Sequence, residues 1–278
     1  GRIRLLKAAC ACRMMDLAMT VDLEIRKDAG IVRMNRPEVR NALSGQMIAD
    51  LLDRLHAAEE DSRIKAVILT GAGKAFCAGA DFNELDPTRA RTIEQVRSES
   101  GRLLDLFARL YAFPKPTIAA VNGPAAGGGC GLVGACDLAV AAASATFSYP
   151  ETSIGFVPAL VSVFLVSELG QKRARELLLA GRRLSARDAE AWGLLNEVVE
   201  NGSLMDRSLE LASRLASRSS SSLQLTKAFL SDLPGLSVQQ GLRKALELNV
   251  LARLSPDFRE SLIAILERTK RTNRGGEG

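Results

Sequence analysis

Apolar and polar positions repeat along this chain with two different periods. Val21-Asp-Leu-Glu-Ile25 alternates with period two, as a half-buried strand does. Ile31-Val-Arg-Met34 reads as its partner strand, with Ala29-Gly30 as the turn and Pro37 as the stop. Ser44 is a good helix N-cap, and Met47, Ile48, Leu51, Leu52 and Leu55 then recur at helical spacing. The short apolar runs 66–70, 116–121 and 138–142 predict strands covered on both faces. Helices are predicted over 93–112 and 127–136. This alternation predicts an α/β layer with parallel strands. Beyond about residue 158 the period is helical: 159–168, 171–180, 186–192, 204–218, 221–232 and 236–253. The apolar faces there exceed what a small local core needs, which points to oligomer contacts. The organisation predicted is an extension over 1–18, expected to be poorly ordered, a core over 19–200 and a C-terminal helical oligomerisation region over 201–278.

Charge changes this picture little. The 278 residues carry a net +5, but residues 1–13 contribute +4 and 267–278 contribute +2, so the body is close to neutral. A nucleic-acid protein carries its positive charge on the folded body, so none is expected as a partner. The five cysteines, Cys10, Cys12, Cys77, Cys130 and Cys136, are odd in number and irregular in spacing, which speaks against a disulfide framework. With His56 as the one histidine, a zinc site is not expected. No run of 18 apolar residues suggests a membrane span. Residues 1–18 read as sequence preceding a start at Met14, Met15 or Met19, with a transit-like segment as the alternative. The location expected is the cytoplasm, or an organellar matrix if the segment is a transit peptide.

Three loops stand out as candidate chemistry. Ala75-Phe-Cys-Ala-Gly-Ala-Asp81-Phe82 follows the strand ending at Thr70. Asn122-Gly-Pro-Ala-Ala-Gly127-Gly128-Gly129-Cys130-Gly131 follows the strand ending at Val121. In parallel α/β sheets, ligands lie beyond such strand ends. Small residues let backbone N–H groups approach a ligand oxygen, and a helix N-terminus adds unpaired donors and positive dipole. Two facing loops of this kind could form a two-donor oxyanion hole. Taken alone, either glycine cluster reads more simply as tight packing. Gly71-Ala-Gly-Lys74 fails as a phosphate loop, because Ile68 and Ala75 stand where a glycine and a Ser/Thr belong. The third loop is Phe147-Ser-Tyr-Pro-Glu151-Thr-Ser-Ile-Gly155. A lone loop glutamate is usually solvated. Here Glu151 lies among apolar and small residues behind a rigid proline, where a raised pKa would suit a base.

Together these motifs resemble the crotonase, or enoyl-CoA hydratase/isomerase, superfamily. The resemblance runs from about residue 21 to 267. It includes Arg36-Pro-Glu-Val-Arg-Asn-Ala-Leu43, Ala66–Gly73, Cys136-Asp137, Leu177–Arg182 and Ala186–Leu194. It implies a crotonase-like spiral of ββα turns with a C-terminal helical region, assembled as a homotrimer or a dimer of trimers. It implies an oxyanion hole built from the N–H groups of Ala80 and Gly128. It also implies a CoA channel lined by Arg40, Asn41, Ala42, Ala78, Asp81, Phe82 and Gly127. Asp81 fits a capping or loop-fixing role, and Tyr149 and Ser153 are candidates to orient Glu151. CoA enters only as part of the acyl-CoA substrate, and neither a metal nor another cofactor is required.

The departures from the family pattern choose the reaction. Hydratases of the family carry two glutamates. The second matches Glu151, but Gly131 stands at the first. A single glutamate suffices to take a proton from C2 or C4 of an enoyl chain and return it at the other carbon. The pattern therefore resembles Δ3,Δ2-enoyl-CoA isomerases. Hydration using Glu151 and water, and acyl-CoA binding with little catalysis, are the alternatives. Ala159 occupies the place of the aspartate needed for dehalogenation, which sets that branch aside.

Overall fold

The computed structural model describes residues 19–84, 88 and 90–275, with side chains to 267. The N-terminal extension over 1–18 lies outside the described residues. The elements in chain order are β1 (Val21–Arg26), β2 (Ala29–Met34), α1 (Gly45–Glu60), β3 (Ala66–Gly71), α2 (Ile93–Tyr111), β4 (Thr117–Val121), β5 (Ala125–Ala126), α3 (Gly128–Ala135) and β6 (Leu138–Ala142). They continue with β7 (Thr146–Ser148), α4 (Ala159–Ala180), β8 (Leu184–Ser185), α5 (Ala186–Trp192), β9 (Glu197–Val199), α6 (Leu204–Ala216), α7 (Ser220–Asp232), α8 (Val238–Leu254) and α9 (Pro256–Gly275).

The main sheet has the order β1-β2-β3-β4-β6-β9. β1 and β2 form an antiparallel hairpin, and every later pairing in this sheet is parallel. β5, β7 and β8 form a second, smaller sheet. Alternate residues of the central strands enter two cores. Val67, Leu69, Ala119 and Val121 face α1 to α5, and Ala66, Ile68, Ile118 and Ala120 face the other way. The second face is covered by α6 through Leu204, Ala212, Met205 and Leu209. Double coverage is why these strands read as unbroken apolar runs.

Local signals account for the helix ends. Ser44 Oγ accepts from Met47 N at 3.1 Å. Thr92 and Gln95 form a capping box at α2, and Ser237 and Gln240 form another at α8. Gly170, at φ +71°, breaks α4 into the two helices that the sequence predicts.

Two expectations change. Ala29-Gly30 is not the hairpin turn, because both residues lie in β2 and the chain turns at Lys27-Asp28. Gly30 is small for packing: a Cβ there would stand 2.8 Å from Ile64 Cδ1. The C-terminal helices also extend further than 236–253. Pro256 opens α9, since a proline in a first helical turn loses no hydrogen bond.

Candidate active site

The site is assembled at the C-terminal ends of β3 and β4, where four chain segments lie side by side. Ala78 N donates to Arg40 O at 3.0 Å, and Leu43 N donates to Gly79 O at 2.7 Å. Asp81 N then donates to Leu43 O at 3.3 Å. On its other edge, Phe76 N donates to Pro124 O at 3.1 Å and Ala126 N to Cys77 O at 2.9 Å. Gly127 N closes the series on Ser148 O at 2.9 Å, three residues before Glu151. Thus the structure brings the three predicted loops together, and the 40–43 segment with them.

Two glycines permit the closest approaches. Gly79 has φ +86°, and a Cβ there would lie 2.7 Å from Ala126 O and 3.1 Å from Gly128 N. Gly127 has φ +48°, and a Cβ there would lie 2.6 Å from Glu151 Oε1. An L side chain at either position would be strained and would push the loops apart. Ala80 therefore follows a residue that abuts Gly128, and the Glu151 carboxylate rests against Gly127. Among the described residues, neither Ala80 N nor Gly128 N has a backbone or side-chain acceptor. Gly128 opens α3, and N–H groups of a first helical turn have no partner within the helix.

Glu151 stands at the start of a 3-10 turn and is half-buried. Its Oε2 is buried without a hydrogen-bond partner. Burial pushes the carboxyl pKa above its usual range, with a smaller opposing effect from its own backbone N–H. Of the candidate orienting residues, Ser153 is engaged elsewhere, and Tyr149 keeps an electrostatic contact with Glu151. The Tyr149 hydroxyl is buried beside Cys130, and Ser153 Oγ donates to Pro150 O at 2.6 Å. Burial pushes the Cys77 and Cys130 thiols up to about 12, far from nucleophilic character.

Asp81 fixes the loop. It accepts from Arg36 Nη1 at 2.9 Å and from Asn83 N at 3.1 Å, and Arg36 also reaches Ala42 O at 3.3 Å. Ala42 is buried, Ala78 is partly buried, and Arg40, Ala80 and Phe82 are exposed. Two asparagines brace the loops: Asn41, which the resemblance placed on the CoA channel, has a fully buried side chain, and Asn122 had no expected role. Buried Asn41 accepts from Arg36 N and donates to the carbonyls of Ala72, Ala75 and Phe76. Asn122 accepts from Gly71 N and donates to the carbonyls of Gly73 and Ala75. Asn41 has φ +56°, a conformation asparagine tolerates better than most residues. An asparagine at the head of each loop was the available signal.

Two open cavities among the described residues lie elsewhere. One of about 390 Å³ is lined by Lys65, Lys115 and Pro116, before β3 and β4, and by Leu215 and Leu223. Another of about 240 Å³ lies between Phe113 and Lys227. Neither includes Glu151, Ala80 or Gly128. Among the described residues no helix is long and apolar enough to cross a membrane.

A parallel sheet feeding two glycine loops and a half-buried glutamate defines the class as an α/β protein. Comparison with known proteins places it more closely. The family model described as enoyl-CoA hydratase/isomerase matches residues 24–274. A protein of Thermus thermophilus, provisionally assigned as an enoyl-CoA hydratase, is 44% identical over 86% of this chain and 94% of its own. The 1,2-epoxyphenylacetyl-CoA isomerase of Escherichia coli is 34% identical over 87% of this chain and 93% of its own. The crystal structure of an enoyl-CoA hydratase from Polaromonas sp. JS666 superposes with TM-score 0.85 at 30% identity, covering 89% of this chain and 97% of that one. The chain belongs to the enoyl-CoA hydratase/isomerase family and is a crotonase-superfamily enzyme.

Proposed function

We propose that this enzyme isomerises 3-enoyl-CoA to trans-2-enoyl-CoA, with Glu151 as the sole proton carrier. The observation that carries this reading is a buried, unpartnered carboxylate oxygen beside two free N–H groups, with Gly131 in place of a second glutamate. The thioester oxygen sits between Ala80 N and Gly128 N. Glu151 removes a proton from C2, and the electron pair moves into the C2–C1 bond and onto the thioester oxygen. The resulting dienolate is held by the two N–H groups, each worth about 3–4 kcal/mol in the transition state. Glu151 then delivers the proton to C4, and the double bond lies between C2 and C3. A carboxyl with a raised pKa suits this work, because it must both accept and return the proton near neutral pH.

Arg40, Ala42, Ala78, Asp81, Phe82 and Gly127 line the channel for the CoA moiety. CoA arrives as part of the substrate, and the steps above need no metal or other cofactor. The exposed apolar residues of α8 and α9 suit assembly as a homotrimer or a dimer of trimers. The second reading is hydration with Glu151 acting on water, which the hydratase assignments among the relatives favour. Glu151→Gln tests the shared core of both. Turnover is lost while acyl-CoA affinity stays within about twofold, because the base alone is removed. Full activity in that variant would remove Glu151 from the mechanism.

A further inference from the structure

Gly131 and Gly134 lie on the side of α3 that meets α2 and α4. A Cβ at Gly131 would stand 2.5 Å from Phe107 Cζ and 2.8 Å from Val161 Cγ1. At Gly134 it would stand 2.8 Å from Phe164 Cβ. Helical side chains lean towards the N-terminus, and residues four apart share a face. A side chain at 131 would therefore rise towards Gly127, the residue against which the Glu151 carboxylate rests. The Phe107 ring stands in that path. It is 2% exposed and packs edge-on to Phe164, with centroids 5.7 Å apart and planes at 88°. Phe164 in turn lies 5.7 Å from the Tyr111 ring. A ring held this way cannot swing aside without disturbing the core.

We infer that Phe107, backed by Val161, is a specificity-determining residue: its ring fills the place from which a second carboxylate, or water held by one, would reach the acyl chain. This rests on the isomerase reading above. Hydration adds oxygen at C3 and hydrogen at C2. With Phe107 in place no water is held on that side, so the conjugated product leaves without being hydrated. Glycine at 131 then follows from Phe107, since even a methyl group would meet the ring.

The test uses the full chain carrying Phe107→Ala, Phe107→Leu, Gly131→Glu, or Phe107→Ala with Gly131→Glu. Each is checked by thermal melting and assayed with trans-2- and 3-enoyl-CoA of one mid-length chain. Phe107→Ala is expected to raise the ratio of hydrated to isomerised product by about tenfold or more, and adding Gly131→Glu raises it further. Gly131→Glu alone is expected to melt lower and form no hydrated product. Should Phe107→Ala not fold, Phe107→Leu decides by the same ratio. A folded Phe107 variant with the wild-type ratio overturns the inference and leaves the isomerase reading standing. So does a normally melting Gly131→Glu that hydrates. A wild-type enzyme that hydrates without isomerising overturns the isomerase reading, and the inference with it.

Discussion

The loops around Glu151 and the helices α8 and α9 treat unpaired surface in opposite ways. In the loops many polar groups find a partner within the chain. Asn41 alone makes four such bonds. Glu151 Oε2 and the N–H groups of Ala80 and Gly128 are left without such a partner where these loops meet. Buried polar groups are ordinarily satisfied, so a local cluster of exceptions marks where a ligand completes the set. In α8 the unpaired surface is apolar. Leu242, Leu246, Val250 and Leu254 recur every four residues and are all exposed, as are Phe258 and Leu262 of α9. A stripe of this kind suits burial against another protein surface, as the proposed assembly requires. The open groups are thus polar in one region and apolar in the other.

The largest effect should come from the loops' unpaired carboxylate. Glu151→Gln should lower turnover by about 10²–10⁴-fold, the usual worth of a positioned general base, measured by steady-state assay. A loss smaller than tenfold (about 1.4 kcal/mol) would mean that the unpaired carboxylate is incidental. The next effect probes the paired groups. Asn41→Ala leaves the Arg36 N–H and the Ala72 and Phe76 carbonyls without their partner, while Ala75 O keeps Asn122, and should cost about 3 kcal/mol in denaturant unfolding. An unchanged midpoint would show that the loops do not depend on their internal partners. Leu246→Glu addresses the other region. It should shift the enzyme to smaller species in light scattering with the monomer fold intact by circular dichroism, and an unchanged mass would take α8 out of the assembly surface.

The smallest effect is on pH dependence. Burial raises the Glu151 pKa in the folded state, so folding binds a proton more tightly there than the unfolded chain does. The stability this contributes is present below the unfolded value near 4.5 and is lost as pH rises through the raised folded value. Glu151→Gln should therefore melt slightly higher than the wild type at neutral pH, with the gap closing in acid. The acid limb of wild-type activity should lie above the usual carboxylate range. An acid limb at or below that range would contradict a desolvated base.

Much of this was legible from periodicity. Ser44 starts α1, Gly170 divides α4, and the apolar runs of β3, β4 and β6 are buried on both faces. β5, β7, β8 and β9, each of two or three residues, were not, because so short a strand carries no period and exists only through its pairing partner. For the site, the glycine loops and Glu151 were legible as local motifs. Their convergence was not, nor was the bracing by Asn41, Asn122 and Arg36, because hydrogen bonds across 31 to 51 positions leave no local pattern. Gly131 was legible as a missing carboxylate. That Phe107 fills its space depends on how α2 crosses α3.

The proposed isomerisation turns on a single carboxylate that moves the proton. A paired assay of purified enzyme with trans-2-enoyl-CoA and 3-enoyl-CoA of the same mid-length chain, following isomerisation and hydration together, tests it most directly. Fast isomerisation with negligible hydration is the expected result. Fast hydration would contradict it, and would mean that another group does the work of the carboxylate absent at Gly131.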